Sequence, residues 1–169
     1  MTTTDEHFER VVLPALREYV IAEAHLTTSI KTGIATGIDA ARDEVMRRAR
    51  TGAIELHQLA DHAANVSNTC GSVDQVRASV QGHCVFLRGS TPVADIELLR
   101  DVAEAFKHHT LDRKTATVTG AEAMIAPATG YSVLYYGEGK YGGVEQAVVT
   151  RKDGTQRALS YVLQNATDG

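Results

Sequence analysis

Apolar residues in the first two-thirds of the chain recur with the period of an α-helix. They lie three or four residues apart, which places them on one face of a helix. Pro14 comes early in the first series and either bends this helix or marks its first turn. Gly33 and Gly37 interrupt the pattern, so we expect the chain to turn there. The first predicted helix contains Phe8, Val12, Ala15, Leu16, Tyr19, Leu26 and Ile30.

A second apolar series predicts another long helix, which Gly52 weakens without ending. Ser72 and Gln75 have the spacing of a capping box and start a third helix that we expect to reach about Leu87. The second series contains Ile38, Ala41, Val45, Ala49, Leu56, Leu59, Ala63 and Val66.

A fourth helix follows a break in the chain. Thr91 and Pro92 provide an N-cap residue and a proline at the first helical position. The apolar positions after them predict a helix that ends at His108 or His109.

The pattern after Thr110 is typical of short β-strands. The dipeptide Asp153–Gly154 indicates a tight turn between two of them. We expect strands at residues 115–119, 122–126, 131–136, 144–150 and 155–158, and a final helix at 159–165. The fold class predicted is α+β in one domain. A bundle of about four helices (residues 1–110) precedes a small antiparallel hairpin or sheet and a short C-terminal helix (residues 111–169).

Composition agrees with a globular domain. The 169 residues are 43% hydrophobic and 22% charged, and no run of eighteen apolar residues predicts a membrane span. The N-terminal segment is polar and acidic, unlike a signal peptide, so we expect a cytoplasmic protein. Cys70 and Cys84 are too few for a disulfide framework and are expected to be reduced. A net charge of −4 argues against a broad nucleic-acid surface.

One glycine-rich stretch matches the pattern of a nucleotide-phosphate loop. Gly137, Gly139, Gly142 and Val144 spell G-x-G-x-x-G-x-V. A dinucleotide site needs a helix after these glycines, but the residues that follow have a strand pattern. A Walker motif and the kinase catalytic motifs are missing from the sequence. We therefore interpret the stretch as a connection between two strands and predict no nucleotide-binding fold.

Histidines and carboxylates on two predicted helices are candidate metal ligands. His57 and Asp61 lie four residues apart, on one flank of the second helix. Glu104 and His108 share a face of the fourth helix. If the two faces met, these four side chains would supply two imidazoles and two carboxylates to a transition metal. The alternative is a solvated face, because Glu97, Asp101, Glu104 and His108 point away from the apolar stripe.

The segment from Arg100 to Arg113 suggests a different chemistry. Arg100 is followed by an acidic residue, and His108 and His109 come about two turns later. This arrangement resembles the Arg-polar…His signature of HEPN domains, which are small helical proteins that often dimerise and in some members cleave RNA. The resemblance implies that Arg100 orients a phosphate and that His108 or His109 acts as acid and base. Alternatively, the histidines are cations that the helix dipole favours at a C-terminus.

Three hypotheses on function follow. The leading one is a non-enzymatic helical interaction or accessory protein that contacts another protein. The others are a HEPN-like ribonuclease or inactive relative and a metal-dependent enzyme. Nucleic acid is a partner only in the nuclease hypothesis, and a transition metal is a cofactor only in the third. Long amphipathic helices with small residues at their contacts also predict a homodimer.

Overall fold

The computed structural model describes residues 3–33, 35–66, 71–85, 93–126, 134 and 146–169. Most of them are helical, and a small antiparallel sheet precedes a C-terminal helix, so the predicted α+β fold class is confirmed. The helices are α1 (Thr4–His7), α2 (Leu13–Thr32), α3 (Ala35–Val66), α4 (Val73–Gln81), α5 (Asp95–His108) and α6 (Leu159–Asp168). The strands are β1 (Met124–Ile125), β2 (Val148–Thr150) and β3 (Gln156–Ala158).

Pro14 explains the irregular start of the first long helix. A π-helical turn, Phe8–Val12, joins α1 to α2, and Pro14 lies in the first turn of α2. Proline has no backbone N–H to donate to the carbonyl four residues earlier, so the α-helical ladder is interrupted at this point. The N–H of Leu13 instead donates to the carbonyl of Phe8, five residues back. The sequence left open whether Pro14 bends the helix or marks its first turn. The proline lies in the first turn of α2, and the helix before it is irregular.

Small side chains set the contact between α2 and α3. Gly33 has a φ of 73° and ends α2, whereas Gly37 lies inside α3, so the turn is shorter than the glycine spacing predicted. Gly52 is also inside α3, as predicted, and a Cβ at this position would lie 3.4 Å from Leu16 Cδ2. The buried residues of the contact are Val12, Ala15, Tyr19, Ala22 and Leu26 on one side and Ala41, Val45, Ala49, Ala53 and Leu56 on the other.

Helix α4 begins with the predicted capping box. The Ser72 hydroxyl accepts from the Gln75 N–H, and the Gln75 side chain accepts from the Ser72 N–H at 2.8 Å. The helix ends at Gln81, earlier than the predicted Leu87.

Helix α5 begins at Asp95, and Val93 and Ala94 before it are not helical. The predicted start at Thr91 and Pro92 lies outside the described residues, and the end at His108 is as expected. The side chain of Gln81 accounts for this start, because its Oε1 accepts from the N–H of Ile96 at 3.1 Å. A side chain from another helix thus satisfies a first-turn donor of α5.

The sheet has the order β1-β2-β3 with antiparallel pairing throughout. Met124 pairs with Val149, and Val149 pairs with Arg157 on its other side. The predicted turn at Asp153–Gly154 connects β2 and β3, with Gly154 at a φ of 81°. Predicted strands at 131–136 and the start of 144–150 lie outside the described residues, except Leu134. The glycine-rich stretch at 135–145 and Cys70 also lie outside them.

Residues 115–119 do not form the predicted strand. Asp101 is the cause: its carboxylate accepts hydrogen bonds from both the N–H and the hydroxyl of Thr117 and pairs with Arg113. Its side chain is almost fully buried, so the predicted solvated face of α5 is wrong at this position. The segment folds around a carboxylate and does not pair along its length with a neighbouring strand.

A second buried carboxylate of α5 joins it to the C-terminal elements. Asp95 Oδ2 accepts from Arg157 Nη2 of β3 at 2.9 Å and from Asn165 Nδ2 of α6 at 2.6 Å. The hydrophobic core likewise contains residues of α2, α3 and α5 together with Val149, Leu159 and Val162. The helical part and the C-terminal part therefore share one core.

Two glycine substitutions are predicted to have opposite effects on stability. A Cβ at Gly120 would lie 2.3 Å from the carbonyl oxygen of His109, which is too close for any real contact. Gly120→Ala should therefore lower the free energy of unfolding by roughly 2 kcal/mol or more. Gly52→Ala has room and removes a helical glycine, so it should raise that free energy by about 0.5–1 kcal/mol. Urea unfolding followed by circular dichroism measures both, and a Gly120→Ala protein as stable as Gly52→Ala would contradict the packing described.

Candidate functional site

A cavity of about 210 Å³ lies among α3, α4 and α5, and Thr4 of α1 and Ala166 of α6 complete its wall. Its lining is almost entirely apolar, and among the described lining residues His57 and Arg77 bring polar nitrogen to it. Concave apolar sites with few polar groups are the usual form of small-molecule sites in proteins. The apolar lining residues are Leu56, Leu59, Ala60, Ala63, Val76, Val80, Ile96, Leu99 and Ala166.

Helix α4 contributes an arginine to an otherwise apolar helix face. Val73, Val76, Arg77 and Val80 follow the spacing i, i+3, i+4, i+7, which is one face of a helix. Arg77 therefore occupies a position where an apolar residue is expected. Its side chain is only 18% exposed. Arginine is rarely so far buried without a specific contact.

His57 is neutral at physiological pH. Burial and, to a smaller extent, the charges of Arg77 and Lys107 lower its pKa to about 4, against the opposing effect of Asp61 and Glu104. Its Nε2 lies 3.4 Å from Nη2 of Arg77. Because a guanidinium only donates, a hydrogen bond here requires the histidine proton on Nδ1.

The contacts of Arg77 with other described residues are long. Its Nη2 lies 3.4 Å from Oδ1 of Asp61, and its Nη1 lies 3.7 Å from Oδ1 of Asp74. Both carboxylates are exposed, at 45% and 88% of their side chains, so water weakens these pairs. The Nε of Arg77 is buried and has no hydrogen-bond partner among the described residues. The guanidinium is thus held at the cavity with its Nε–H unpaired among the described residues.

Three of the four predicted metal ligands, His57, Asp61 and Glu104, lie in the same region of the structure. His57 and Asp61 both lie beside Arg77, and Glu104 is close enough to act electrostatically on His57. His108 is exposed at the end of α5. Within the described ranges, no group of three or more His, Cys, Asp or Glu side chains could hold a metal ion. The positive charge beside His57 and Asp61 belongs to Arg77.

Of the predicted nuclease residues, Arg100 is paired with a carboxylate and His108 is exposed. Arg100 Nε donates to Glu104 Oε1 at 3.1 Å, and Arg113 Nη2 lies 3.5 Å from Glu104 Oε2. Partial burial raises the pKa of Glu104, but the bond from Arg100 and the charges of Arg113 and Arg100 outweigh this, and the pKa lies below its usual value. Arg100 is therefore paired with a carboxylate on its own helix, and His108 is exposed at the end of that helix.

His109 has a structural position at the end of α5. Its φ of 67° is the only positive value at a non-glycine residue in the described part of the chain. The His109 N–H donates to Ala105, and its carbonyl accepts from the N–H of Ala121, both at 2.8 Å. Its backbone ends the helix and starts the turn into the following segment.

A second concave surface lies between α2 and α6. It encloses about 550 Å³ and is more open than the cavity at Arg77. Val20 and Ile21 lie beside it and are 55% and 67% exposed. Its lining also includes Leu13, Leu16, Arg17, Tyr161, Leu163 and Thr167.

Comparison with protein-family models, curated proteins and solved structures found no match for this chain. No helix in the described ranges is long and apolar enough to cross a membrane.

The histidine at the cavity should make stability depend on pH. The pKa of His57 is about 4 when folded and 6.5 when unfolded, so the unfolded chain binds more protons between these values. The stabilisation is complete above pH 6.5 and is lost as the pH falls towards 4. Replacing this group, as in His57→Gln, should reduce the fall in unfolding free energy between pH 7 and pH 4 by roughly 2–3 kcal/mol.

Urea unfolding at a series of pH values measures this difference. His25→Gln, at an exposed histidine of α2, is the matched control and should keep the wild-type pH dependence. Parallel curves for wild type and His57→Gln would show that His57 is not the group responsible.

Proposed function

We propose that this protein is a non-enzymatic binding protein that holds a small, largely apolar molecule in the cavity among α3, α4 and α5. The observation that carries the proposal is the cavity itself, with its apolar lining and two nitrogen-bearing side chains. This proposal keeps the non-enzymatic part of the leading hypothesis from the sequence and replaces its protein partner with a small molecule.

The size of the cavity supports such a ligand. An engineered apolar cavity of about 150 Å³ in another protein stays dry and binds benzene. The cavity here is larger, at about 210 Å³, and has room for a six-membered ring with one polar substituent. Each methylene moved from water into such a lining contributes about 0.8 kcal/mol. A molecule of this size would gain enough from burial to bind without any covalent step.

The nearby titratable groups favour binding over catalysis. A general base works best with a pKa close to the operating pH, whereas the pKa of His57 lies at about 4. Burial raises the pKa of the Cys84 thiol to about 11, so this sulfur is not an activated nucleophile. Neither group has the properties that acid–base or nucleophilic chemistry at neutral pH requires.

A cavity-filling variant tests the proposal. Toluene titrated into the ¹⁵N-labelled full chain should shift amide signals of cavity residues such as Leu59, Val80 and Leu99. Ala63→Leu places three more carbons in the cavity and should weaken toluene binding roughly tenfold or more, because equivalent ligand burial is lost. Ala24→Leu, at an exposed position of α2, is the control and should bind as wild type. Wild-type protein without toluene-dependent shifts at these residues would refute the proposal.

The nuclease and metalloenzyme hypotheses predict different results with the same protein. RNA cleavage that disappears in an Arg100→Ala, His108→Ala double variant would favour the nuclease. A stoichiometric transition metal in purified protein, lost in His57→Ala, would favour the metalloenzyme. We propose neither, because Arg100 pairs with Glu104 and the cation beside His57 is Arg77.

We also propose that the chain forms a homodimer in the cytoplasm through the α2–α6 surface. Exposed Val20 and Ile21, which we call the ridge, line the groove together with apolar residues (Leu13, Leu16, Leu163) and polar residues (Arg17, Gln164, Thr167) of the same two helices. A two-fold dimer needs both halves of the contact on one chain, and a ridge next to a groove provides them.

An acidic residue on the ridge should separate the dimer. Ile21→Glu places a charge in the contact and should convert the protein to a monomer at micromolar concentration. Light scattering after size-exclusion chromatography measures the mass, and His25→Glu on the same helix is a control outside the groove lining. A wild-type mass of 18.2 kDa, that of one chain, would exclude the dimer.

A further inference from the structure

We infer that the ligand of this cavity is a small apolar carboxylate and that Arg77 is its recognition residue. The inference rests on the proposed binding function and adds to it the chemical class of the ligand. It is carried by the contacts of Arg77, the polarity of the lining and the charges around its rim.

The first step is the unused donor. Arg77 lines the cavity, and its Nε has no hydrogen-bond partner within the described ranges although it is shielded from solvent. A buried donor without a partner costs about 1–3 kcal/mol, more when the group is charged. Because this Nε is fully buried, a ligand oxygen in the cavity recovers this free energy only when the Arg77 side chain turns to expose it. A ligand without a hydrogen-bond acceptor would leave the Nε–H of Arg77 unpaired.

The second step is the charge of that donor. The carboxylates near Arg77 belong to Asp61 and Asp74, which are exposed and contact it at 3.4 and 3.7 Å. Water screens these two charges more than it would screen an anion that lies against the apolar lining of this partly open cavity. A ligand carboxylate can therefore compete for the guanidinium, whose planar fork matches a carboxylate better than a single acceptor.

The third step is the histidine on the opposite helix. His57 is neutral at pH 7, so it adds no second positive charge to the cavity. A site with one guanidinium and a neutral imidazole matches a ligand with one negative charge. A dianion such as a phosphate monoester would bring a second negative charge close to Asp61 and Glu104, both of which act electrostatically on this site.

The apolar lining and the volume limit the rest of the ligand. About 210 Å³ accommodates one ring or a short branched chain. Arg77 is the cationic side chain among the described lining residues, and Lys107 is close enough to act electrostatically on His57. The expected ligand is an aromatic or alicyclic monocarboxylate. Polar acids with several hydroxyl groups would lose hydrogen bonds to water that this lining does not replace.

Benzoate and benzamide form a matched probe pair, because they have nearly the same shape and differ in charge. We predict that wild-type protein binds benzoate at least about tenfold more tightly than benzamide, the effect of one charged hydrogen bond. Arg77→Met replaces the guanidinium with an uncharged side chain of similar length and should abolish this preference. Arg47→Met, at an exposed arginine of α3, should keep it. Calorimetry or NMR titration of the full chain gives the dissociation constants.

Toluene separates failure of this inference from failure of the proposed function. If wild type binds toluene but binds benzoate and benzamide equally, the cavity is a neutral apolar site and the inference is overturned while the proposed function stands. If Arg77→Met still binds toluene and still prefers benzoate, Arg77 is not the recognition residue. If wild type binds none of the three probes, both proposals fail. Loss of benzoate preference with unchanged toluene binding in Arg77→Met is the result that supports the inference.

Discussion

Two buried carboxylates on α5 hold the helical part and the C-terminal part of this protein together. Asp95 is fully buried and bonded to Arg157 and Asn165, while Asp101 is bonded to Arg113 and Thr117. An ionised carboxylate that loses its partner in a protein interior destabilises the fold by about 3–5 kcal/mol. Strand β3, helix α6 and the segment after α5 therefore have to lie where these partners reach α5.

This arrangement also creates the cavity. With α5 fixed by its carboxylates and α3 fixed by its close contact with α2, the apolar side chains Leu56 and Leu99 face a space that α4 closes from the side. Helix α4 is short and brings Arg77 with it. The cavity wall thus combines two long, well-anchored helices with a shorter one, and the charged group comes from the shorter helix.

Local signals in the sequence predicted the elements that depend on local chemistry. The capping box at Ser72, the turn at Asp153–Gly154 and the continuation of α3 through Gly52 are all confirmed. Each follows from residues within a few positions of one another, so no knowledge of the tertiary fold was needed.

Predictions failed where a distant side chain decides the local structure. The strand predicted at 115–119 does not form because Asp101 takes the hydrogen bonds of Thr117, and α5 starts at Asp95 beside Gln81.

The candidate site was predictable only in part. The spacing of His57 and Asp61 indicated that they share a flank of α3, and both lie beside the cavity residue Arg77. Arg77 was missed, although a charged residue in the apolar series Val73, Val76, Val80 is a visible signal of a specific contact. What the sequence did not show is that α4 packs on α3, because that depends on the whole core.

The most direct test of the central claim is the side-chain Nε–H signal of Arg77 in a ¹H–¹⁵N spectrum of the full chain, assigned by its absence in Arg77→Lys. Adding cyclohexanecarboxylate should move this signal downfield, because the Arg77 side chain turns towards the carboxylate and its Nε–H, which has no partner among the described residues, donates to it. Cyclohexanecarboxamide should produce a much smaller change. An Arg77 Nε–H signal that stays in place at saturating cyclohexanecarboxylate would contradict recognition of an apolar anion by this residue.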